Sequence, residues 1–279
     1  MTDDRAGQIV TFYSYKGGTG RTMALANTAW ILAANGRRVL VVDWDLESPG
    51  LHRFFAPFID AGALSSAGGV IDLIREYEWA ASQADDPADL PHDRYAAVHR
   101  FAFTVDWPHF PAGGTLDFLS AGRQNRDYAA TISGLNWDEF YERLAGGHFF
   151  DSLRADMKRK YDYVLIDSRT GLSDVADICT LHLPDVLVDC FTLSEQGIDG
   201  AAMVAQNVRH RAGQHPIRIL PVAMRVDSAE KAKADRGMEV AKQRFVGLPA
   251  LPQQERDAYW AAVSVPYQAF FSYEETLAT

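Results

Sequence analysis

The sequence predicts an α/β fold of the doubly wound type, in which a mostly parallel sheet is flanked by helices. Five short apolar runs rich in β-branched residues recur along the chain, and their hydrophobicity is continuous, as in strands covered on both faces. Segments of helix-forming composition separate these runs, so strands and helices alternate. The runs are residues 9–12, 38–43, 161–167, 186–193 and 217–224, the last of them interrupted by Pro221.

The segments between the runs supply the predicted helices. Residues 23–36 end at Gly36, a natural helix C-cap, and residues 201–213 repeat that arrangement before the last strand. Two further segments, 69–82 and 136–147, also have helical composition.

The middle of the chain is less regular. Residues 101–107 and 114–122 predict a pair of strands, of which the second joins the main sheet. We find no repeat and no convincing linker, so residues 1–279 are assigned to a single domain with an irregular insertion at about 52–112. The sequence leaves open that the chain is a module of a longer protein.

Charge and composition narrow the functional classes. The 279 residues are 47% hydrophobic and 23% charged, and 37 acidic against 27 basic residues give a net charge of -10. Such a surface repels nucleic-acid phosphates and anionic lipid, so direct binding to nucleic acid or membranes is not expected. Two cysteines, an acidic N-terminus and the lack of any run of 18 apolar residues predict a cytoplasmic protein.

A glycine-rich loop follows the first predicted strand, in the sequence YSYKGGTGRTMALAN (13–27). The phosphate-binding pattern G-x-x-x-x-G-K-[ST] is met by Gly20 and Thr22, whereas Tyr15 stands at its first glycine and Arg21 at its lysine. A loop joining a strand to a helix N-terminus binds anions through backbone N–H groups and the helix dipole. The alternative is a glycine-rich turn that caps an ordinary helix.

The sequence KGGTGRT (16–22) resembles the deviant phosphate-binding loop of the ParA/MinD family of ATPases, K-G-G-x-G-K-[ST]. Further family-like motifs follow in order: VLVVDWDLESPGL (39–51), GTLDFLSAGR (114–123) and YDYVLIDSRTGLSD (161–174). The resemblance covers about residues 8 to 270 and implies a P-loop NTPase fold. Arg21 is similar to the arginine of the KGGVGR-motif variant subgroup, with Thr19 in place of its valine.

The resemblance implies a magnesium site. Thr22 would coordinate Mg²⁺ through its hydroxyl, and Asp167 would hold the ion through water. Asp43 and Asp45 lie on the same side of an extended strand end, and we assign Asp43 to the metal's outer shell and Asp45 to orienting the attacking water. The alternative for these acids is that they are ordinary turn residues at strand ends.

The resemblance also gives the loop residues distinct roles. Lys16 would be the signature lysine, which reaches the phosphates of a partner subunit and acts in catalysis together with Asp45. Arg21 would hold the β- and γ-phosphates in its own subunit. The remaining loop residues expected to bind nucleotide are Gly17, Gly18, Thr19, Gly20 and Thr22.

The base-binding residue is less certain from the sequence. Arg225 lies where relatives contact adenine and could stack on the base, but a solvated arginine is an equal alternative. Met224 replaces the asparagine of the family pattern. The preference for ATP over GTP therefore comes from the resemblance.

These features predict an ATP-binding, Mg²⁺-dependent switch that forms a homodimer with nucleotide, hydrolyses it slowly and acts on an unidentified protein partner. A non-hydrolysing nucleotide sensor is the alternative, because Arg21 departs from the pattern. A third hypothesis is a P-loop tyrosine kinase, suggested by Tyr259, Tyr267 and Tyr273.

Overall fold

The computed structural model describes residues 6–171, 177–212 and 216–278 of the chain. Its centre is an eight-stranded sheet of order β3-β4-β2-β5-β1-β6-β7-β8. The strands are β1 Gln8–Tyr13, β2 Arg38–Asp43, β3 Phe103–Thr104, β4 Thr115–Leu119, β5 Tyr163–Asp167, β6 Val186–Phe191, β7 Arg218–Val226 and β8 Ser264–Pro266.

All neighbouring strands are parallel except β3, which pairs with β4 in the antiparallel direction. The prediction of a mostly parallel sheet is thus confirmed, and so is the strand pair whose second member joins the main sheet. The three strands β2, β5 and β1 are adjacent, so their carboxyl ends meet at one edge of the sheet. Ligands of open α/β sheets bind at this edge.

The helices lie between the strands along the chain, and three of the four predicted segments, 23–36, 69–82 and 201–213, correspond to helices of the structure. They are α1 Arg21–Ala34, α2 Ala61–Ser66, α3 Val70–Gln83, α4 His92–Tyr95, α5 Tyr128–Ser133, α6 Trp137–Glu142, α7 Gly146–Lys160, α8 Glu195–Arg211, α9 Lys231–Arg244 and α10 Gln253–Ala262. Helix α8 begins six residues before the predicted segment, because Ser194 caps it: its Oγ accepts a hydrogen bond from the Gly197 N–H at 3.2 Å. The last predicted residue of that segment, 213, lies outside the described residues.

The single helix predicted over 136–147 was wrong. The structure has a short helix, α6, and a second helix, α7, that begins at Gly146. Ala145 between them has a left-handed backbone with φ 52°, which ends the first helical path and redirects the chain. A Cβ on Gly146 would lie 2.2 Å from the Phe140 ring, so the tight turn requires glycine there.

Helix α3 packs in the central core although it lies within the predicted insertion. Its residues Leu73, Ile74 and Tyr77 are fully or almost fully buried in the same cluster as Leu40 and Val42 of β2. The Tyr77 ring also donates its hydroxyl hydrogen to the Leu144 carbonyl oxygen at 2.5 Å. This part of the segment therefore forms the covering layer of the sheet.

Pro221 is tolerated inside β7 for a simple reason. On one side it pairs with Asp189 of β6, while β8 pairs with β7 only from Ala223 onwards. The missing proline N–H thus falls where the strand has a neighbour on one side only.

Among the helices that the structure describes, none combines the length and the apolar character that crossing a membrane requires.

Candidate functional site

The glycine-rich loop connects the end of β1 to the first residue of α1, Arg21. Gly18 and Gly20 have φ angles of 74° and 91°, the left-handed region that favours glycine. A Cβ built on Gly17 or Gly18 would meet no described atom within 4 Å, so the space beside the loop is open. The amino terminus of the 14-residue helix α1 faces this loop, and no side-chain cap is recorded there among the described residues. The arrangement suits an anion.

Two predicted acids meet beside the loop. Asp43 ends β2 and Asp167 ends β5, and the two residues are register partners in adjacent parallel strands. The Trp44 N–H donates to the Asp167 carbonyl oxygen at 2.9 Å, which extends the strand pairing by one residue. The buried Trp44 separates Asp43 from Asp45 in the sequence, and Arg21 contacts both Asp45 and Asp167.

Asp43 is almost fully buried, with 1% of its surface exposed. Its Oδ2 accepts hydrogen bonds from the N–H groups of Gly50 and Leu51, both at 3.1 Å. Its Oδ1 is buried and has no partner among the described residues. Burial, together with the charge of Asp167, raises the pKa of Asp43 well above its ordinary value.

Asp167 is held by the first two residues of α1. Its Oδ1 accepts a hydrogen bond from Arg21 Nε at 2.6 Å, and its Oδ2 accepts one from Thr22 Oγ1 at 2.8 Å. Burial raises the pKa of Asp167, while the Arg21 charge opposes that shift. The end of β5 and the start of α1 are thus tied by two side-chain bonds.

The Arg21 guanidinium contacts two carboxylates, those of Asp45 and Asp167. It is 6% exposed, and Nη2 lies 3.3 Å from Asp45 Oδ2 while Nε contacts Asp167. The sequence assigns Arg21 to the β- and γ-phosphates, and that role stays a prediction. The neighbouring acids raise the pKa of Arg21, although burial opposes them, so the group is a permanent cation.

Asp45 is the most accessible of the three acids, with a side chain 14% exposed. Besides Arg21, its carboxylate accepts a hydrogen bond from the Ser48 N–H at 3.3 Å. It therefore lies at the boundary between the buried cluster and the open side of the loop, where it can contact water.

Lys16 lies on the other side of the loop. Its ammonium donates a hydrogen bond to Gln196 Oε1 in the first turn of α8. The preceding residue, Tyr15, packs its ring directly against Gly200 of α8. A Cβ on Gly200 would lie 2.1 Å from that ring. A cavity of about 450 Å³ lies beside this contact. It is lined by Tyr15, Glu195, Gln196, Asp199, Gly200 and Met203.

Arg225 also approaches the loop. Its Nη1 donates to the Gly18 carbonyl oxygen at 2.8 Å, and the guanidinium lies 5.1 Å from the centre of the Tyr267 ring. The residue is exposed and has a φ of 54°, an uncommon conformation for a non-glycine residue. The contact with Gly18 places Arg225 next to the predicted nucleotide site, whereas its role toward the base stays a prediction.

The sequence prediction missed Gln196, the residue that contacts Lys16. No motif marks this glutamine, and its contact with Lys16 joins residues 180 positions apart. The signal that could have found it is its place two residues after Ser194, the cap residue at the start of a helix that follows a central strand.

The oxygen donors of the cluster fit a hydrated magnesium ion. Thr22 gives its hydroxyl hydrogen to Asp167, which leaves lone pairs on Oγ1 for a cation. The unpartnered Asp43 Oδ1 is a second hard oxygen nearby. No cluster of three or more His, Cys, Asp or Glu side chains with a metal-binding arrangement occurs among the described residues. Magnesium does not need one, since it keeps several waters and binds phosphate oxygens.

The fold is a doubly wound α/β domain with a glycine-rich loop at the carboxyl edge of its sheet, and the solved structures that resemble this chain share that fold. A ParA family ATPase from Chlorobium tepidum TLS is 17% identical with a TM-score of 0.60, over 97% of this chain and 89% of that one. The septum site-determining protein MinD from Pyrococcus horikoshii OT3, complexed with Mg-ADP, is 19% identical with a TM-score of 0.57, over 86% and 77%. The pNOB8 ParA protein bound to nonspecific DNA is 16% identical with a TM-score of 0.58, over 94% and 85%.

The family model of the CobQ/CobB/MinD/ParA nucleotide-binding domain matches residues 10–262. This chain belongs to that family, which confirms the resemblance seen in the loop and the strand-end motifs. Its membership in the arginine-containing subgroup stays a prediction. A comparison with curated protein sequences gave no match. Because pNOB8 ParA is a DNA complex, the expectation that this chain does not bind nucleic acid has no support from the comparisons and also stays a prediction.

Proposed function

We propose that this protein is a Mg²⁺-dependent, ATP-binding ATPase that acts as a nucleotide-controlled dimerisation switch with slow hydrolysis. The observation that carries the proposal is the bond between Thr22 and Asp167, which joins the phosphate loop to the strand-end acids. That bond fixes the Thr22 hydroxyl beside the Asp167 carboxylate. We also propose a single domain, since helix α3 packs in the central core.

Different residues of the site would bind the phosphates, the attacking water, the base and the magnesium ion. Backbone N–H groups of Gly17, Gly18, Thr19 and Gly20 bind phosphate oxygens at the α1 amino terminus. Asp45, at the edge of the cluster, orients the attacking water, and Arg225 packs beside the base. Magnesium, when bound at Thr22 with Asp43 and Asp167 in its outer shell, supplies positive charge that neutralises the phosphates.

Lys16 would act across the dimer. Its present partner, Gln196, belongs to the same chain and both groups are near the open side of the loop. The Lys16 ammonium would gain from exchanging a neutral amide for a phosphate, because the phosphate carries a charge of opposite sign. The dimer would form when Lys16 exchanges Gln196 for the phosphates of the partner.

Light scattering with a non-hydrolysable ATP analogue and magnesium tests the switch. Wild type should form dimers upon addition of the analogue, and Lys16→Ala should not. Lys233→Ala is the matched control. The Lys233 side chain is 79% exposed, and its ion pair in the described part of the chain is with Glu230, which is also exposed. Nucleotide-induced dimers in Lys16→Ala would contradict the trans role of this lysine.

A non-hydrolysing nucleotide sensor is the second candidate, and the position of Arg21 favours it. The guanidinium lies on Asp45, the residue assigned to the attacking water. Steady-state phosphate release separates the two functions. The ATPase predicts faster release by wild type than by Asp45→Ala, whereas equal and negligible release would establish the sensor.

A further inference from the structure

A surface groove lies between helix α3 on one side and, on the other, the short helix α4 with the turn Val98–Arg100 that follows it. It has a volume of about 820 Å³ and is named the α3–α4 groove below. The residues that form its walls include Arg75, Glu76, Trp79, Arg94, Tyr95 and Arg100. None of its lining residues belongs to the glycine-rich loop or to the strand-end acids, so the groove is distinct from the nucleotide site.

Trp79 lies on the outer face of α3. The residues of this helix that pack into the core are Val70, Ile71, Leu73, Ile74, Tyr77, Ala80 and Ala81. Trp79 falls outside that set and is 70% exposed, so core packing does not account for a tryptophan here. Tryptophan, tyrosine and arginine are the residue types that contribute most of the binding energy at protein interfaces, and the α3–α4 groove presents all three.

The wall opposite α3 is held in place by the core. The Tyr95 ring packs edge-on against the buried Tyr77 ring, with 6.1 Å between the ring centres. Ala96 and Val98 are fully buried, and the Val98 N–H donates to Asp156 Oδ2 at 3.1 Å. A preformed groove loses little conformational entropy when it binds a ligand, which favours binding.

The groove is cationic although the chain has a net charge of -10. Three of its lining residues are arginines and one is a glutamate. Arg75 pairs with Glu78 at 2.5 Å, and Arg100 pairs with Glu76 at 2.5 Å. Arg94 is exposed and has no ion pair in the parts of the chain that the structure describes. Because partly exposed ion pairs contribute little to stability, all three guanidinium groups are available to the carboxylates of a partner.

We propose that the α3–α4 groove binds an acidic peptide segment of a partner protein, one that carries a single apolar side chain between its carboxylates. The apolar side chain packs on Trp79, and the flanking carboxylates pair with Arg94 and Arg100. The inference goes beyond the proposed function, since it requires neither nucleotide nor a dimer.

Charge complementarity favours a short acidic peptide over nucleic acid. A nucleic acid needs a continuous basic track along its phosphates, whereas Glu76 and Glu78 lie among the arginines of this groove. The acidic chain as a whole also repels a long polyanion more strongly than it repels a short peptide.

Fluorescence anisotropy with labelled synthetic peptides tests the proposal. The probes have one phenylalanine flanked by glutamates, and matched probes replace the glutamates by glutamines or by lysines. Wild type should bind the glutamate probe most tightly, and Trp79→Ala should raise its Kd at least about tenfold. Phe270→Ala is the matched control, because Phe270 is 66% exposed and does not line the groove, so its Kd should equal that of wild type. A glutamate probe that does not bind wild type, or binds Trp79→Ala equally well, would overturn the proposal.

A charge reversal gives a result that a damaged structure cannot imitate. Arg94→Glu should weaken the glutamate probe at least about tenfold and make the lysine probe bind more tightly than it binds wild type. Arg143→Glu is the control, since Arg143 is 75% exposed and pairs with Glu139 outside the groove. Unchanged binding of both probes to Arg94→Glu would contradict the predicted role of the arginines.

Other occupants of the groove would give different results. A single-stranded DNA oligonucleotide or phosphatidylserine vesicles that bind wild type but not Trp79→Ala would replace the acidic peptide as the ligand. A nucleotide-free dimer that is lost in Trp79→Ala would show that a second copy of the chain occupies the groove, which also refutes the proposal.

The same variants separate the groove from the nucleotide site. Trp79→Ala should keep the Tm and the ADP affinity of wild type, because the exposed side chain contacts no residue of the loop. If wild type binds the glutamate probe but neither ADP nor an ATP analogue, the proposed function fails and the groove stands. If wild type binds nucleotide but not the glutamate probe, only the groove proposal fails.

Discussion

Asp167 and Asp189 are two buried carboxylates in the strands on either side of β1, and their surroundings differ completely. Asp167 in β5 accepts bonds from Arg21 and Thr22. Asp189 in β6 is fully buried, and neither of its oxygens has a hydrogen-bond partner among the described residues. Burial raises the pKa of both groups, but only Asp167 has a cation that opposes the shift.

The comparison shows that burial alone does not make a functional carboxylate. A buried acid without a partner is stable only when it is protonated, whereas a paired acid keeps its charge and can act on a ligand. Asp167 has the necessary partners because β5 ends beside the start of α1. Asp189 lies within β6, where Tyr13 and Pro221 are its register neighbours.

The largest expected effect comes from removing the cation next to Asp167. Arg21→Ala should lower the free energy of unfolding by about 3–5 kcal/mol, because it leaves a buried carboxylate without a counter-ion. Urea denaturation measures this change. The exposed pair of Arg53 and Glu275 is the control, and Arg53→Ala should change stability by less than about 1 kcal/mol. Similar losses in the two variants would contradict the importance of burial.

A smaller loss is expected from the hydroxyl partner of Asp167. Thr22→Val keeps the shape of the side chain but removes the donor at 2.8 Å. A hydrogen bond to a charged group contributes about 1.5–3 kcal/mol, and urea denaturation should show a loss in this range. Thr28→Val is the matched control on the same helix, since the Thr28 hydroxyl donates to the Ala24 carbonyl oxygen of that helix at 2.8 Å and not to a carboxylate. A loss in Thr22→Val no greater than in the control would show that Asp167 does not need this donor.

Replacing Asp189 should raise the free energy of unfolding, whereas the two substitutions next to Asp167 should lower it. Since its pKa is higher in the folded than in the unfolded protein, folding takes up a proton and stability falls as pH rises above the ordinary carboxyl pKa. Asp189→Asn removes this loss and should stabilise the protein at pH 7 by ~1 kcal/mol, a typical single-substitution gain. The gain should shrink steadily toward pH 4, where about half of the unfolded carboxyl is protonated as well.

Unfolding curves at pH 4, 5, 6 and 7 test this dependence, with values of pH chosen around the ordinary carboxyl range. An Asp189→Asn protein that is destabilised equally at every pH would show that Asp189 has a required partner. The difference between Asp167 and Asp189 would then disappear.

The sequence predicted the fold class, because that class depends on local patterns, whereas the roles of the predicted site residues stay predictions. Continuous apolar runs identified the central strands, and the spacing of loop and strand-end motifs brought Thr22, Asp43 and Asp167 to one edge. The predictions failed where packing decided the outcome. The helix over 136–147 is broken at Ala145, since Gly146 packs against the Phe140 ring, and no propensity signals that contact.

Arg21 shows most clearly what the sequence determined and what the tertiary structure decided. The sequence alone determined that an arginine begins α1 in a phosphate loop, and that acids end the neighbouring strands, because these facts follow from order along the chain. Only the tertiary structure decided that its guanidinium contacts Asp45 and Asp167 and leaves Nη1 without a described partner. The reason is physical: a long side chain has many directions available, and burial beside two charges selects one of them.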